Sequence, residues 1–162
     1  MEFGLETFGD VTRGSDGRPL HHAQVLRDVV AEAVLADELG VDVFGVGEHH
    51  RADFAISAPE TLLAAIAGRT SRIRLGSAVT VLSSDEPVRV FQRFSTLDAI
   101  SNGRAEIILG RGSFTESFPL FGYSLRSGSA FLYSETGRDK WKAGGHAAAA
   151  SGSGKKYAWS GV

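Results

Sequence analysis

Apolar positions along the first 110 residues switch between two periods, and the switch predicts a strand-then-helix repeat. Phe3-Gly4-Leu5-Glu6-Thr7-Phe8 alternates as a strand does, and a polar, glycine-rich loop from Gly9 to Pro19 follows. Val25, Leu26, Val29, Val30, Ala33, Val34 and Leu39 then recur at helical spacing, with Asp28, Glu32 and Glu38 on other faces. Gly40 closes that helix from the C′ position. Val41 to Gly47 reads as a short buried strand. Ser57-x-x-Glu60 reads as a capping box with Pro59 in the first turn, and the helix it opens places Leu62, Leu63, Ile66 and Ala67 on one side. Ile73 to Leu82 is the third strand. Pro87 opens a third helix with Val90, Phe94, Leu97 and Ile100 as its apolar stripe, and Asn102-Gly103 stops it before a fourth strand, Ala105 to Leu109.

Strands spaced about 30 residues apart imply right-handed crossovers and a parallel sheet. Two architectures fit this pattern: a doubly wound open sheet and part of a (β/α)₈ barrel. A dinucleotide-binding fold wants a glycine-rich turn that leads directly into a helix. Gly9-Asp10-Val11-Thr12-Arg13-Gly14 runs instead into a long loop. Periodicity leaves both architectures open.

Length bears on this choice, because a complete barrel takes about 250 residues and the chain has 162. The chain is 43% hydrophobic and 22% charged, a globular balance, and its net charge of −2 carries no basic signature for nucleic acid. Cysteine is absent, which excludes disulfides, thiol catalysis and cysteine-ligated metals. No apolar run approaches the roughly 18 residues of a membrane span. The acidic N-terminus lacks the basic and apolar segments of a secretory signal. A cytoplasmic location is the expectation.

The charge is unevenly spread. Residues 1–123 hold eleven arginines, no lysine and seventeen acids, whereas residues 124–162 hold all four lysines, two arginines and only two acids. The same 39 residues contain seven Gly, seven Ser and seven Ala. This composition predicts a boundary near Tyr123, with a poorly ordered tail over 124–162 that forms at most short helical pieces around Ala147–Ala150. An ordinary glycine-rich loop region is the alternative.

Ligands of parallel α/β folds bind where the strands end. The second strand ends in Gly47-Glu48-His49-His50-Arg51, which admits a metal ligand, a loop histidine pair satisfied by neighbours, or an imidazole that binds or protonates a substrate. Adjacent histidines on an extended chain point apart, which disfavours the metal. His21-His22, ahead of the first helix, reads as surface. The fourth strand ends in Gly110-Arg111-Gly112, where a guanidinium fork beside close-approaching backbone N–H groups suits an anion, with a structural salt bridge as the alternative.

Five stretches resemble, in order and spacing, the bacterial luciferase-like, flavin-dependent monooxygenases. They are Gly47-Glu48-His49-His50, Leu75 to Leu82, Glu86-Pro87-Val88-Arg89, Leu97 to Arg104, and Ile108-Leu109-Gly110-Arg111-Gly112, with Phe118 to Tyr123 similar as well. The resemblance covers residues 1–123. It implies an α/β fold, here a truncated (β/α)₈ barrel of about four parallel strands with helices and a low-complexity tail. It implies reduced FMN, or a deazaflavin in some branches, and a small organic substrate oxygenated with O₂. His49 matches the active-site histidine. Ala78–Val79 matches a non-prolyl cis peptide beneath the flavin ring. Arg111, beside Gly110, matches the arginine that holds the flavin phosphate.

After Tyr123 the resemblance stops, so the expectation is a fragment without strands five to eight and with an incomplete flavin site. Two other functions follow from the same residues. One is a non-catalytic remnant or interaction module that pairs its open edge with another chain, and a homodimer would be one way to supply missing walls. The other is a deazaflavin-dependent dehydrogenase.

Overall fold

The computed structural model describes residues 1–110 and 114–122, together with the backbone of 148–150 and 156–158. Four strands, β1 (Gly4–Thr7), β2 (Val43–Val46), β3 (Arg74–Val81) and β4 (Ala105–Gly110), alternate with three helices, α1 (His22–Leu39), α2 (Pro59–Ala67) and α3 (Pro87–Ser101). The strands are parallel neighbours in chain order. Leu5, Phe44, Leu75 and Ala105 stand in one row across them. Every crossover is thus a strand–helix–strand unit, as the hydrophobic period predicts. A 3₁₀ turn (Leu82–Ser84) follows β3, and a short helix α4 (Ser117–Leu120) follows β4.

The helices cover one face of the sheet. Phe44, Leu75 and Ile107 join Val29, Ala33, Leu63, Ile66, Phe94 and Leu97 in one buried cluster. Each large side chain buried this completely contributes about 1.5–3 kcal/mol. The buried stripe of α3 is Val90, Phe94, Leu97 and Ser101, whereas Ile100 is 56% exposed. Steps of four, three and four residues keep pace with the helical turn, and Ile100 falls outside them. Leu39 is likewise 74% exposed, because Ala36 and Asp37 take the inward positions of the last turn of α1.

Helix ends are set by backbone geometry as often as by side chains. Gly40 (φ 82°) and Asn102 (φ 57°) close α1 and α3 in the left-handed region. The Glu86 side chain accepts from the Arg89 N–H at 2.9 Å and caps α3. The capping box expected at Ser57 does not form. The N-cap of α2 is Ala58, without a side-chain bond, and Glu60 instead accepts from Arg93 Nε at 3.1 Å, tying α2 to α3.

The helical pieces expected around Ala147–Ala150 are overturned. Ala148–Ala150 is a strand, β5, antiparallel to β6 (Lys156–Ala158). β6 in turn pairs antiparallel with β4, through Ile107↔Tyr157 and Ile108↔Lys156. Four alanines are too few to nucleate a helix, while the free edge of β4 offers ready-made backbone partners. Tyr123, where composition places a boundary, and the remainder of 124–162 lie outside the described residues.

Candidate functional site

A cavity of about 370 Å³ opens at the carboxyl ends of the four parallel strands. Backbone pairing between two loops builds one side of it. Gly9, at φ 67°, turns the chain after β1, and its carbonyl accepts from Ala55 N–H at 2.8 Å. Val11 N–H donates to the Asp53 carbonyl, and His49 N–H to that of Ile56. The first two bonds hold the loop after β1 against the loop after β2, and the third closes the loop after β2 on itself. They bring Phe8 and Phe54 to the imidazole of His49, with ring centroids 5.1 and 4.3 Å away. Phe114, from beyond β4, approaches the same ring edge-on at 4.8 Å.

His49 is consequently 13% exposed at its side chain, with Nδ1 3.9 Å from Glu116 Oε1. Burial pushes its pKa below the ordinary histidine value, against the opposing charge of Glu116. A neutral imidazole at pH 7 follows, able to donate from one nitrogen and accept at the other.

Glu48 and His50, two residues apart on an extended segment, share a side. His50 Nε2 lies 2.8 Å from Glu48 Oε1. Burial raises the pKa of Glu48, and the hydrogen bonds from His50 and from the Val81 backbone counter it only in part. Glu48 therefore ties the end of β2 to the end of β3. Among the described residues no group of three side chains converges to hold a metal ion.

The floor of the cavity is Ala78 and Val79 of β3, and the peptide bond between them is cis. The register of β3 on β4 slips here, between Ala78 and Thr80. Neighbouring glycines fit the strands closely around this bond. A Cβ at Gly110 would fall 2.7 Å from Val79 Cγ2, and one at Gly45 would fall 3.3 Å from Ala78 Cβ. At Gly47 it would overlap the Phe8 ring, 2.1 Å from Cδ1. The absence of these side chains lets the neighbouring backbone pack directly against Ala78, Val79 and Phe8.

His49, Ala78 and Val79 thus line one cavity, and Gly110 packs against Val79. Arg111 lies outside the described residues. His21 and His22 stand apart from the cavity: His21 caps α1 and His22 Nε2 contacts the Ala52 carbonyl at 2.9 Å. Sequence reasoning misses Phe54, Phe114 and Glu116, which only the loop pairings and α4 deliver to His49. The i, i+2 spacing of Glu48 and His50 is the one signal that could have shown their pairing.

Residues 1–131 match the family of luciferase-like monooxygenases. The chain belongs to the luciferase-like monooxygenase family. An uncharacterized protein of Sinorhizobium fredii is 37% identical over 108 residues, 66% of this chain and 31% of that protein. The alkanal monooxygenase alpha chain of Photobacterium leiognathi is 34% identical over 104 residues, 64% of this chain and 29% of that one. Among solved structures, a luciferase-like fold is shared with a monooxygenase from Streptomyces bottropensis (TM-score 0.69, 30% identity, 80% of this chain and 39% of that one). It is also shared with the oxygenating constituent of 3,6-diketocamphane monooxygenase from Pseudomonas putida, solved with FMN (TM-score 0.71, 23% identity, 98% and 43%). An F420-dependent secondary alcohol dehydrogenase has the fold too (TM-score 0.65, 17% identity, 96% and 46%). The chain spans about three-tenths of the length of the curated relatives it matches. Its four parallel strands with alternating helices are accordingly part of a (β/α)₈ barrel. No helix among the described residues is long and apolar enough to cross a membrane.

Proposed function

We propose that this cavity is the flavin-facing part of a luciferase-like monooxygenase that oxygenates a small organic substrate with O₂. The observation that carries the reading is the apolar Ala78–Val79 floor of a cavity walled by His49 and its three phenyl rings, at the carboxyl ends of the parallel strands. Ala78 and Val79 give the floor an apolar surface, which suits one face of a planar ring system. The residues present therefore fit a flavin ring.

Ala78 and Val79 would support the ring face. Phe8, Phe54 and Phe114 present apolar rings to the same space. His49, held neutral by burial, can take or give a proton at the cavity. Gly110 and Arg111 would hold the phosphate, the guanidinium supplying a charge-assisted fork. Bound reduced flavin supplies the two electrons that O₂ chemistry needs.

One charge-assisted contact contributes about 1.5–3 kcal/mol, far below the roughly 8 kcal/mol behind a micromolar constant. The chain alone therefore binds FMN weakly, with a dissociation constant well above micromolar. Titration of the purified chain with FMN, read by flavin fluorescence, tests the reading. Arg111→Ala is expected to weaken binding about tenfold and His49→Ala to leave it unchanged. Binding that ignores both Arg111→Ala and Gly110→Ala would overturn the assignment. A parallel titration with a deazaflavin separates the monooxygenase reading from a dehydrogenase one. Tighter deazaflavin binding would favour the second.

A further inference from the structure

Glu116 is placed by α4, whose Ser117 and Phe118 are buried and anchor the start of the helix against the cavity. Among the described residues, the imidazole of His49 is the only basic group within 4.0 Å of its carboxylate. The gap of 3.9 Å between Nδ1 and Oε1 is an ion-pair distance, longer than a hydrogen bond by about 1 Å, so the carboxylate acts on Nδ1 through its charge. On the other side, His49 Nε2 has no hydrogen-bond partner among the described residues, and the ring is held from three directions by Phe8, Phe54 and Phe114. The ring has little freedom to turn over, so the two nitrogens keep distinct surroundings.

We infer that Glu116 is a positioning residue that acts through His49: its carboxylate keeps the proton on Nδ1 and leaves Nε2 as the basic nitrogen of the cavity. Which imidazole nitrogen carries the proton is set by the partner of the other. A carboxylate accepts and does not donate when ionised, so it selects the Nδ1–H form.

Other charges face the same ring. Asp10 comes from the loop after β1, and Arg51 and Asp53 come from the loop after β2. Arg51 and Asp53 pair with each other at 2.8 Å, so their effects on the imidazole largely offset. Asp10 lines the cavity without coming within ion-pair distance of His49. That leaves Glu116 as the largest charge favouring the protonated ring, against the larger effect of burial.

The inference rests on the reading of His49 as the group facing the reaction, yet it is testable on the chain without flavin. Nitrogen-15 NMR of the labelled 162-residue chain reports both the tautomer and the titration midpoint of His49, assigned as the ring signal missing from His49→Gln. The wild-type chain is expected in the Nδ1–H form. Glu116→Gln keeps the shape and loses the charge, so the midpoint falls and the signals move toward the Nε2–H form that free histidine favours. Glu116→Ala loses the same charge, so both readouts move the same way. A role confined to anchoring α4 would move neither readout. Unchanged tautomer and midpoint in Glu116→Gln, the isosteric variant, overturn the inference. The FMN titration separately decides the reading of the cavity, so the two failures are distinguishable.

Discussion

His50 Nε2 and Glu48 Oε1 lie 2.8 Å apart, and both side chains are nine-tenths buried in the cavity wall. Each satisfies the other where water cannot, and Glu48 also serves the Val81 N–H. Glu48→Ala strands these donors and is expected to cost about 1–3 kcal/mol. Glu48→Gln keeps an acceptor and costs less. Urea unfolding midpoints of the two variants check the order.

A second carboxylate matters more for the fold than for the cavity. Asp37 receives the backbone N–H groups of Ser71, Arg72 and Ile73 at 2.7–3.0 Å, joining the end of α1 to the start of β3. Burial alone would raise its pKa, and these donors together with the Arg72 charge outweigh burial and lower it. Asp37→Ala is expected to destabilise the chain by about 3 kcal/mol, because three donors lose an ionised acceptor. A thermal melt at neutral pH reads the loss. The wild-type contribution is full above the unfolded value of 3.8 and disappears as pH falls through the lower folded value. Asp37→Ala therefore differs least from wild type in strong acid.

The pH dependence at His49 follows the same sign. Its folded pKa lies below the ordinary 6.5, so the unfolded chain binds the proton more readily. The stability belonging to the neutral ring is present above 6.5 and is lost as pH falls toward the folded value. His49→Gln should lose less stability than wild type between pH 7 and pH 5, each measured against its own midpoint at pH 7. Glu48, shifted upward, acts oppositely: its contribution is full below 4.5 and is lost as pH rises through the folded value.

Close packing at two glycines gives a further test. An added Cβ at Gly47 would lie 2.1 Å from Phe8 Cδ1, and one at Gly110 2.7 Å from Val79 Cγ2. Gly47→Ala must displace the Phe8 ring from the imidazole, and Gly110→Ala must push Val79 on the cavity floor. Overpacking of this kind costs about 1–3 kcal/mol. Calorimetry of each variant measures the cost.

Much of the fold is legible in the sequence because strand and helix periods are local. The four strand positions, the αL stops at Gly40 and Asn102, and Pro87 at the start of α3 all follow from neighbours within a few residues. What is not legible depends on distant partners. Ser57 looks like a cap, yet the chain enters α2 at Ala58 and Glu60 turns to Arg93, 33 residues away. Asp37 finds its donors 34 to 36 residues on. The alanines at 148–150 become a strand because another strand edge is there to receive them. In the cavity, the strand ends reveal His49, but the three rings and the carboxylate around it converge only through loop geometry.

Arg104 is one of the residues through which the sequence resembles the luciferase-like family, yet its guanidinium works far from the cavity floor. It donates to the carbonyls of Ala67, Thr70, Ile73 and Ser101 and to the Thr70 hydroxyl, at 2.8–3.1 Å. One side chain thereby staples the end of α2, the start of β3 and the end of α3 at the amino ends of the strands. The cavity opens at the other ends. Durability and chemistry therefore occupy opposite poles of this sheet, and each can be engineered with little effect on the other: a stapling variant alters how long the protein survives, a cavity variant what it does meanwhile.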